Sequence, residues 1–195
     1  MRLILIRHGE SYYNKKGFIQ GDINSRLTDL GLTQADKTAK RLKNEKIDMI
    51  LSSPLKRAKI VAKKIKDFHQ NTLFEIKPEL KDISYGKLKG RKPNEKLSQI
   101  INSKEIIKYG GESFKDFSKR TINFFKGLLK ENFGKDILLV THNPLLKSII
   151  IYLEKVNSDK FYTSGGFKNC SITIFEFNKQ KVPKLILYND ISHLK

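Results

Sequence analysis

The chain has 195 residues, of which 38% are hydrophobic, and it contains one cysteine. This length suffices for one domain with a buried core, and no apolar stretch reaches the roughly 18 residues that a membrane-spanning helix requires. A lone cysteine excludes an intramolecular disulfide, and no signal-peptide pattern precedes the first strand, so we expect one cytoplasmic domain over residues 1–195.

The net charge of +19 raises the question of nucleic-acid binding. The excess is almost wholly lysine, with 32 Lys against 7 Arg, spread over every segment. Specific readout of bases or phosphates favours arginine, so we expect no specific nucleic-acid partner. We also expect no membrane partner, because no apolar stretch is long enough to span a bilayer. The positive field instead attracts small anionic substrates. Duplex binding stays as an alternative that a steep salt dependence of affinity would reveal.

A short apolar run at 2–6 predicts a buried strand, and Arg7 and His8 follow at its end beside a glycine. Ligands of open α/β sheets bind beyond the carboxyl ends of the strands. A histidine there can attack phosphorus, and an arginine can hold phosphate oxygens through two parallel hydrogen bonds. Arg7 and His8 are therefore candidate catalytic residues, and we expect His8 to be an exposed strand-end side chain.

The next elements are a helix, a second strand and a second helix. Thr28 is a predicted N-cap, and apolar residues at helical spacing follow it. A strand at 48–52 precedes a helix at 54–68, with Ser53 as its predicted cap. Arg57 falls in the first turns of that helix. It is a second candidate phosphate ligand at a strand end.

The middle of the chain carries a strand at 73–77 and an amphipathic helix at 112–131. Between them, residues 86–111 are rich in lysine, glycine and asparagine around one short helical stretch. We expect this segment to be an excursion over the active site, because such loops often carry specificity.

The last part repeats the strand-end pattern. A strand at 136–141 leads to His142, and Asn143 is the predicted cap of a buried helix at 144–154. His142 therefore lies between a strand end and a helix N-terminus, which is a favourable place for an anion. Strands alternate with helices, which predicts a three-layer α/β sandwich with a mainly parallel sheet. Two further strands are predicted at 171–177 and 184–188.

Together these signatures resemble the histidine phosphatases, also called the phosphoglycerate mutase-like superfamily. The residues that carry the resemblance are Arg7-His8-Gly9-Glu10-Ser11, Asn14, Gln20-Gly21, residues 27–35, residues 52–58, Gly110-Gly111-Glu112-Ser113 and Val140-Thr141-His142. The resemblance implies a phosphoglycerate mutase-like sandwich and attack by His8 to give a phosphohistidine. It implies phosphate or substrate contacts from Arg7, Arg57, His142, Asn14, Gln20 and Gly21.

Two positions depart from the family pattern. The family usually places a glutamate as proton donor in a frame that residues 80–86 fit, and here that position is Asp82. A carboxylic acid can act there only if its pKa is raised towards the working pH. Asn143 stands where a glycine often follows the second histidine, and we keep it as a substrate-binding candidate. Glu112 is the reserve acid, and Glu10 is a candidate for orienting the arginines.

We therefore expect a metal-independent phosphomonoesterase that acts on a small phosphorylated metabolite without a cofactor, as a monomer or a homodimer. No metal is expected because the arginines supply the positive charge. A phosphoglycerate mutase is the first alternative, although the 29 residues between Asp82 and Glu112 are short for the excursion of mutases. A non-catalytic phosphate-binding module is the second, and the aspartate departure is its support.

Overall fold

The computed structural model describes residues 1–156 and 166–195. Six strands of these residues form one sheet: β1 (Arg2–Arg7), β2 (Met49–Ser52), β3 (Leu73–Ile76), β4 (Ile137–Thr141), β5 (Ile172–Phe177) and β6 (Pro183–Asp190). They lie in the order β3-β2-β4-β1-β5-β6. The first four are parallel to one another, whereas β5 is antiparallel to β1 and β6 is antiparallel to β5.

Helices cover both faces of this sheet. In the described residues they are α1 (Tyr12–Lys16), α2 (Asp29–Leu42), α3 (Lys56–Lys66), α4 (Glu95–Ile101), α5 (Phe114–Asn132) and α6 (Asn143–Glu154). Alternate side chains of a strand point to opposite faces. Leu3 and Leu5 of β1 accordingly pack in one core with α5 and α6, and Ile4 and Ile6 pack in the other with α2 and α3. The predicted three-layer sandwich with a mainly parallel sheet is confirmed.

The ends of three helices test the predicted caps. Thr28 caps α2 as expected, because its Oγ1 accepts a hydrogen bond from the Gly31 amide at 3.0 Å. The other two predictions are wrong. The cap of α3 is Leu55 rather than Ser53, and the cap of α6 is His142 rather than Asn143. In both cases the polar side chain has another partner at the functional site.

The most apolar helix, α6, is buried as predicted, with Leu145, Leu146, Ile149 and Ile150 packed under the sheet. It has 12 residues. In residues 1–156 and 166–195, no helix is both long enough and apolar enough to cross a membrane.

The segment 86–111 is folded rather than irregular. It contains α4, as the sequence indicated, and two 3₁₀ turns at Gly86–Leu88 and Lys104–Tyr109. Its apolar side chains form a small separate core with a residue of the first loop: Ile19, Leu88, Leu97, Ile100 and Ile106. The two loops also exchange backbone hydrogen bonds, from the Ile19 amide to Arg91 O and from the Gly90 amide to Ile19 O. This pairing forms one wall of the site.

Candidate active site

Three neighbouring strand ends meet at one edge of the sheet. Arg7 of β1 lies in register with Thr141 of β4, and Ser52 of β2 lies in register with Val140. The residues that follow each strand are therefore brought together. The rings of His8 and His142 lie with their centroids 5.1 Å apart.

A cavity of about 220 Å³ opens over this edge. Most of the candidate site residues line it. The lining residues are Arg7, His8, Asn14, Phe18, Ile19, Gln20, Gly21, Asp82, Tyr85, Ile101, Asn143 and Pro144. The two remaining candidates, Arg57 and His142, are adjacent and fully buried.

His8 is buried, with 3% of its surface exposed, so the expectation of an exposed side chain is wrong. Its Nδ1 lies 2.7 Å from the carbonyl oxygen of Gly9. A carbonyl only accepts, so we assign the ring proton to Nδ1, and Nε2 keeps its lone pair. Burial, and then the charges of Arg57 and Arg7, hold the pKa of His8 well below its usual value. The imidazole is therefore neutral at neutral pH, with the lone pair of Nε2 available.

His142 is held by the serine that the sequence suggested as a helix cap. Its Nε2 lies 2.7 Å from Ser53 Oγ, which also accepts the amide of Leu55 at 3.2 Å. We therefore assign the hydroxyl proton towards Nε2 and the ring proton to Nδ1. Burial, with the charge of Arg57, keeps the pKa of His142 well below its usual value. His142 is a neutral donor whose Nδ1 has no hydrogen-bond partner among the described residues.

Arg7 is anchored at one end only. Its Nη1 donates to the carbonyl oxygen of Phe167, while its buried Nε has no partner within the described part of the chain. Burial lowers the pKa of Arg7 to about 10, so the guanidinium stays charged at neutral pH. An unpaired buried donor costs roughly 1–3 kcal/mol, a cost that a ligand oxygen would remove.

Arg57 differs, because all five of its N–H groups are engaged by the protein. It donates to Ile23 O at 2.6 Å, Gly21 O at 2.7 Å and Asp82 Oδ2 at 3.0 Å. The positions of the oxygen and nitrogen of the Gln20 side-chain amide are assigned from the groups that surround them. In this orientation Gln20 Oε1 accepts from Arg57 Nη1 at 2.8 Å and from Arg57 Nε at 3.0 Å. Arg57 therefore fixes the loop of Gln20 and Gly21 and the carboxylate of Asp82.

Asp82 lies in the cavity wall, 8% exposed. Besides Arg57, its carboxylate accepts the amide of Ile83 at 3.0 Å. Both contacts favour the ionised form, yet burial outweighs them and raises the pKa of Asp82 to about 6. A carboxyl with this pKa can donate a proton in the acidic form and accept one in the ionised form near neutrality.

Asparagine side chains order the loops around His8. Asn14 Oδ1 accepts the amide of Ser11 at 3.2 Å. Asn169 donates to Asn14 Oδ1 at 3.2 Å and to the carbonyl oxygen of His8 at 3.0 Å. Asn143 accepts the amide of Phe167 at 2.8 Å, which explains why it does not cap α6. Asn169 was missed by the sequence analysis, since no motif surrounds it.

Glu10, the candidate for orienting the arginines, and Glu112, the reserve acid, have other partners. Glu10 accepts from Thr28 Oγ1 at 2.7 Å and so supports the start of α2 rather than the arginines. Glu112 forms an ion pair with Arg120, with Oε1 2.6 Å from Nε. Neither lines the cavity over His8. Within the described ranges, no group of three His, Cys, Asp or Glu side chains could hold a metal ion.

Comparisons with known proteins agree with this geometry. The family model of the histidine phosphatase superfamily (branch 1) matches residues 3–191. A metal-independent phosphoserine phosphatase of Arabidopsis thaliana is 32% identical, over 98% of this chain and 82% of its own length. A 2,3-bisphosphoglycerate-dependent phosphoglycerate mutase of Thermoplasma acidophilum is 32% identical, over 89% of this chain and 86% of its own length.

Among solved structures, the phosphoserine phosphatase of Entamoeba histolytica in complex with 3-phosphoglyceric acid superposes with a TM-score of 0.83 at 30% identity. The match covers 100% of this chain and 99% of that one. A mutant of the same enzyme, in complex with phosphoserine, gives a TM-score of 0.84 at 31% identity. The chain thus belongs to the histidine phosphatase superfamily, branch 1, and is a phosphoric monoester hydrolase.

Proposed function

We propose that the protein hydrolyses small phosphomonoesters of the phosphoserine type, with His8 as nucleophile and Asp82 as acid and base. The observation that carries this proposal is the pair of buried, unpartnered donors beside His8. In the described residues, Arg7 Nε and His142 Nδ1 have no hydrogen-bond partner. A phosphoryl group seated between them would supply the missing acceptors and face the free Nε2 of His8.

The first step transfers the phosphoryl group to His8. The Nε2 lone pair forms the N–P bond while the bond from phosphorus to the ester oxygen breaks. The electron pair leaves with that oxygen, which takes the proton of Asp82. Arg7 neutralises charge on the peripheral oxygens and the neutral His142 donates a hydrogen bond to one of them, since catalysis of phosphoryl transfer is largely positioning and electrostatic stabilisation.

Arg57 enters this step through an exchange of partners. Its N–H groups are already used, and Nη2 donates to Gly21 O and to Asp82 Oδ2. We propose that a phosphate oxygen that reaches Nη2 displaces the carboxylate of Asp82, whose contact is the longer of these two. The displaced carboxyl then loses its cation and faces a dianion, which raises its pKa further. Substrate binding would in this way prepare Asp82 in the protonated form that the leaving oxygen needs.

The second step releases inorganic phosphate. Water attacks phosphorus as the N–P bond breaks, its proton passes to the carboxylate of Asp82, and His8 recovers its lone pair. The acid of the first step is thus regenerated. No step needs a metal, and we propose that the protein works without one, in the cytoplasm, as a single domain over residues 1–195.

The substrate class follows from the relatives and from the loop lengths. Two of the similar proteins are named as phosphoserine phosphatases. A mutase is also 32% identical, so the mutase reaction is the second candidate. We favour hydrolysis because the 29 residues from 83 to 111 form a short excursion with its own small core against Ile19.

The test is a panel of phosphomonoesters assayed with a metal chelator present. We expect phosphate release from phosphoserine and a base-stable, acid-labile phosphate trapped on His8 after quenching. Interconversion of 2- and 3-phosphoglycerate dependent on 2,3-bisphosphoglycerate, without net hydrolysis, would establish the mutase instead. Phosphate binding without turnover of any ester would establish the non-catalytic module.

A further inference from the structure

We infer that Arg120 and Glu112 form a positioning pair that fixes Asp82 in place for proton transfer. The inference rests on the proposed acid role of Asp82. Asp82 is one methylene shorter than a glutamate, so its backbone must be held in place for the carboxyl to reach the reacting oxygen.

Most backbone carbonyls around Asp82 accept a hydrogen bond from another part of the chain. Arg120 Nη1 donates to Glu79 O at 3.0 Å, and its Nη2 donates to Lys81 O at 3.2 Å, with Asp82 O at 3.4 Å. Three of the four carbonyls of residues 79–82, all but that of Leu80, therefore accept from one guanidinium on α5.

Two further hydrogen bonds fix the same loop. Thr141 Oγ1, at the end of β4, donates to Leu80 O at 2.9 Å. The amide of Glu112 donates to Ser84 O at 2.7 Å. The carbonyls of residues 79–82 and 84 thus all have donors from β4, α5 or the segment before α5. Such a loop cannot shift the carboxyl of Asp82 without breaking several hydrogen bonds.

The guanidinium that makes these contacts is itself fixed in orientation. Glu112 accepts from Nε at 2.6 Å and from Nη2 at 3.0 Å, a bidentate pair. The guanidinium carbon also lies 4.7 Å from the ring centroid of Phe117, which is fully buried. Only a planar fork can donate to Glu112 and the loop carbonyls together, so lysine at position 120 would not replace Arg120.

The pair acts from outside the reaction cavity. Arg120 and Glu112 line a separate cavity of about 390 Å³, and Asp82 lies in the wall of both cavities. The side chain of Arg120 is 31% exposed, so its replacement removes contacts without opening a buried core. Arg120 and Glu112 are therefore positioning residues, and Asp82 is the group that they position.

The experiment compares Arg120→Met with wild type on phosphoserine and on p-nitrophenyl phosphate, whose leaving group needs little protonation. Misplacement of a reacting group by about 1 Å costs on the order of 10²-fold. We expect kcat for phosphoserine to fall by about 10–100-fold and kcat for p-nitrophenyl phosphate by less than about 3-fold. Lys119→Met, an exposed neighbour on α5, is the charge-matched control and should leave both rates unchanged.

A double-mutant cycle separates positioning from general structure. If Arg120 acts through Asp82, Arg120→Met should cost little more in an Asp82→Asn background, because the acid is already absent. A further full loss in that background, or equal losses on both substrates, would overturn the inference. Glu112→Gln should show the same selectivity more weakly, and it replaces Arg120→Met if that variant fails to fold.

The same cycle distinguishes failure of the inference from failure of the proposed acid role. Asp82→Asn with equal losses on both substrates would remove the acid role, and the inference with it. If Asp82→Asn lost activity selectively on phosphoserine while Arg120→Met kept the wild-type rate, the acid role of Asp82 would stand. Only the positioning role of Arg120 and Glu112 would then be overturned.

Discussion

The two sides of the reaction cavity are positioned by different means. On the sheet side, Arg7 is the last residue of β1, His8 follows it and His142 follows β4, so the parallel ladder sets their separation. On the loop side, Asp82 and Gln20 belong to irregular segments that side chains of distant residues hold in place. A strand end is fixed by many backbone bonds shared with its neighbours, whereas a loop is fixed by a few particular contacts. Substitutions should therefore act differently on the two sides.

The largest expected effect is on the sheet side. His8→Ala removes the nucleophile and should lower kcat for every phosphomonoester by on the order of 10⁴-fold or more, regardless of the leaving group. The measurement is phosphate release, together with trapping of labelled enzyme after acid and base quenches. His69→Ala is the control, since that histidine contacts the carbonyl of Leu42 outside the site. A His8→Ala enzyme that retained a tenth of native activity would exclude His8 as nucleophile.

The His8→Ala variant also tests how much the buried His8 side chain contributes to the stability of the fold. His8 is buried, so the substitution leaves a small cavity and the Gly9 carbonyl without its donor. We expect a loss of about 1–3 kcal/mol in the free energy of unfolding. Because the ladder itself is unaffected, circular dichroism of the folded variant should match that of wild type.

The next largest effect is on the loop side, and it should depend on the leaving group. Asp82→Asn should lower kcat by on the order of 10²–10⁴-fold with phosphoserine and far less with p-nitrophenyl phosphate. Asp67→Asn, an exposed carboxylate on the surface, is the matched control. If Asp82→Asn lowered kcat equally for both substrates, Asp82 would not be the acid, and the loop side of the cavity would not supply the proton.

The contrast also explains how much could be predicted from sequence. His8 and His142 were located by apolar runs that predict strands, because parallel strand ends converge at one edge. Asp82 was located only by the resemblance to a family. The hydrogen bonds between Gln20 and Arg57, and those from Arg120 to the carbonyls of Glu79, Lys81 and Asp82, join residues far apart in sequence and leave no local pattern.

The cap errors have the same physical origin. Ser53 and Asn143 have the side chains of good N-caps, and local propensity assigns them to the helix starts that follow. In the folded protein Ser53 contacts His142 and Asn143 accepts the amide of Phe167. Tertiary contacts at the functional site therefore outweigh local propensity at both positions.

Arg57 joins the two sides, and its replacement sharpens the comparison. Arg57→Lys keeps the charge but cannot donate to Gly21, Ile23, Asp82 and Gln20 at once. We expect kcat/KM for phosphoserine to fall by on the order of 10²–10³-fold, nearly as far as in Arg57→Ala. Arg41→Lys, in an exposed ion pair with Glu45, controls for the exchange itself. Near-native activity in Arg57→Lys would show that charge alone suffices.

The smallest effect is on the pH dependence of the free energy of unfolding. Residues on the two sides of the cavity should change it in opposite directions as the pH rises. Burial lowers the pKa values of His8 and His142 below 6.5, the value in the unfolded chain. These two residues therefore contribute fully to the free energy of unfolding above pH 6.5, and their contribution is lost as the pH falls below it. The pKa of Asp82 is raised from 3.8 to about 6, so its contribution is complete below pH 3.8 and is lost as pH rises through 6.

These opposite slopes overlap between pH 4 and 6.5 and partly cancel in wild type, so a variant is needed to separate them. Asp82→Asn removes only the loop-side titration. Its free energy of unfolding, relative to wild type, should rise between pH 4 and 7 by about 2–3 kcal/mol and then level off. Urea denaturation at a series of pH values measures this difference. A flat difference across the range would mean that Asp82 titrates alike in the folded and unfolded chain, and that burial does not prepare it as an acid.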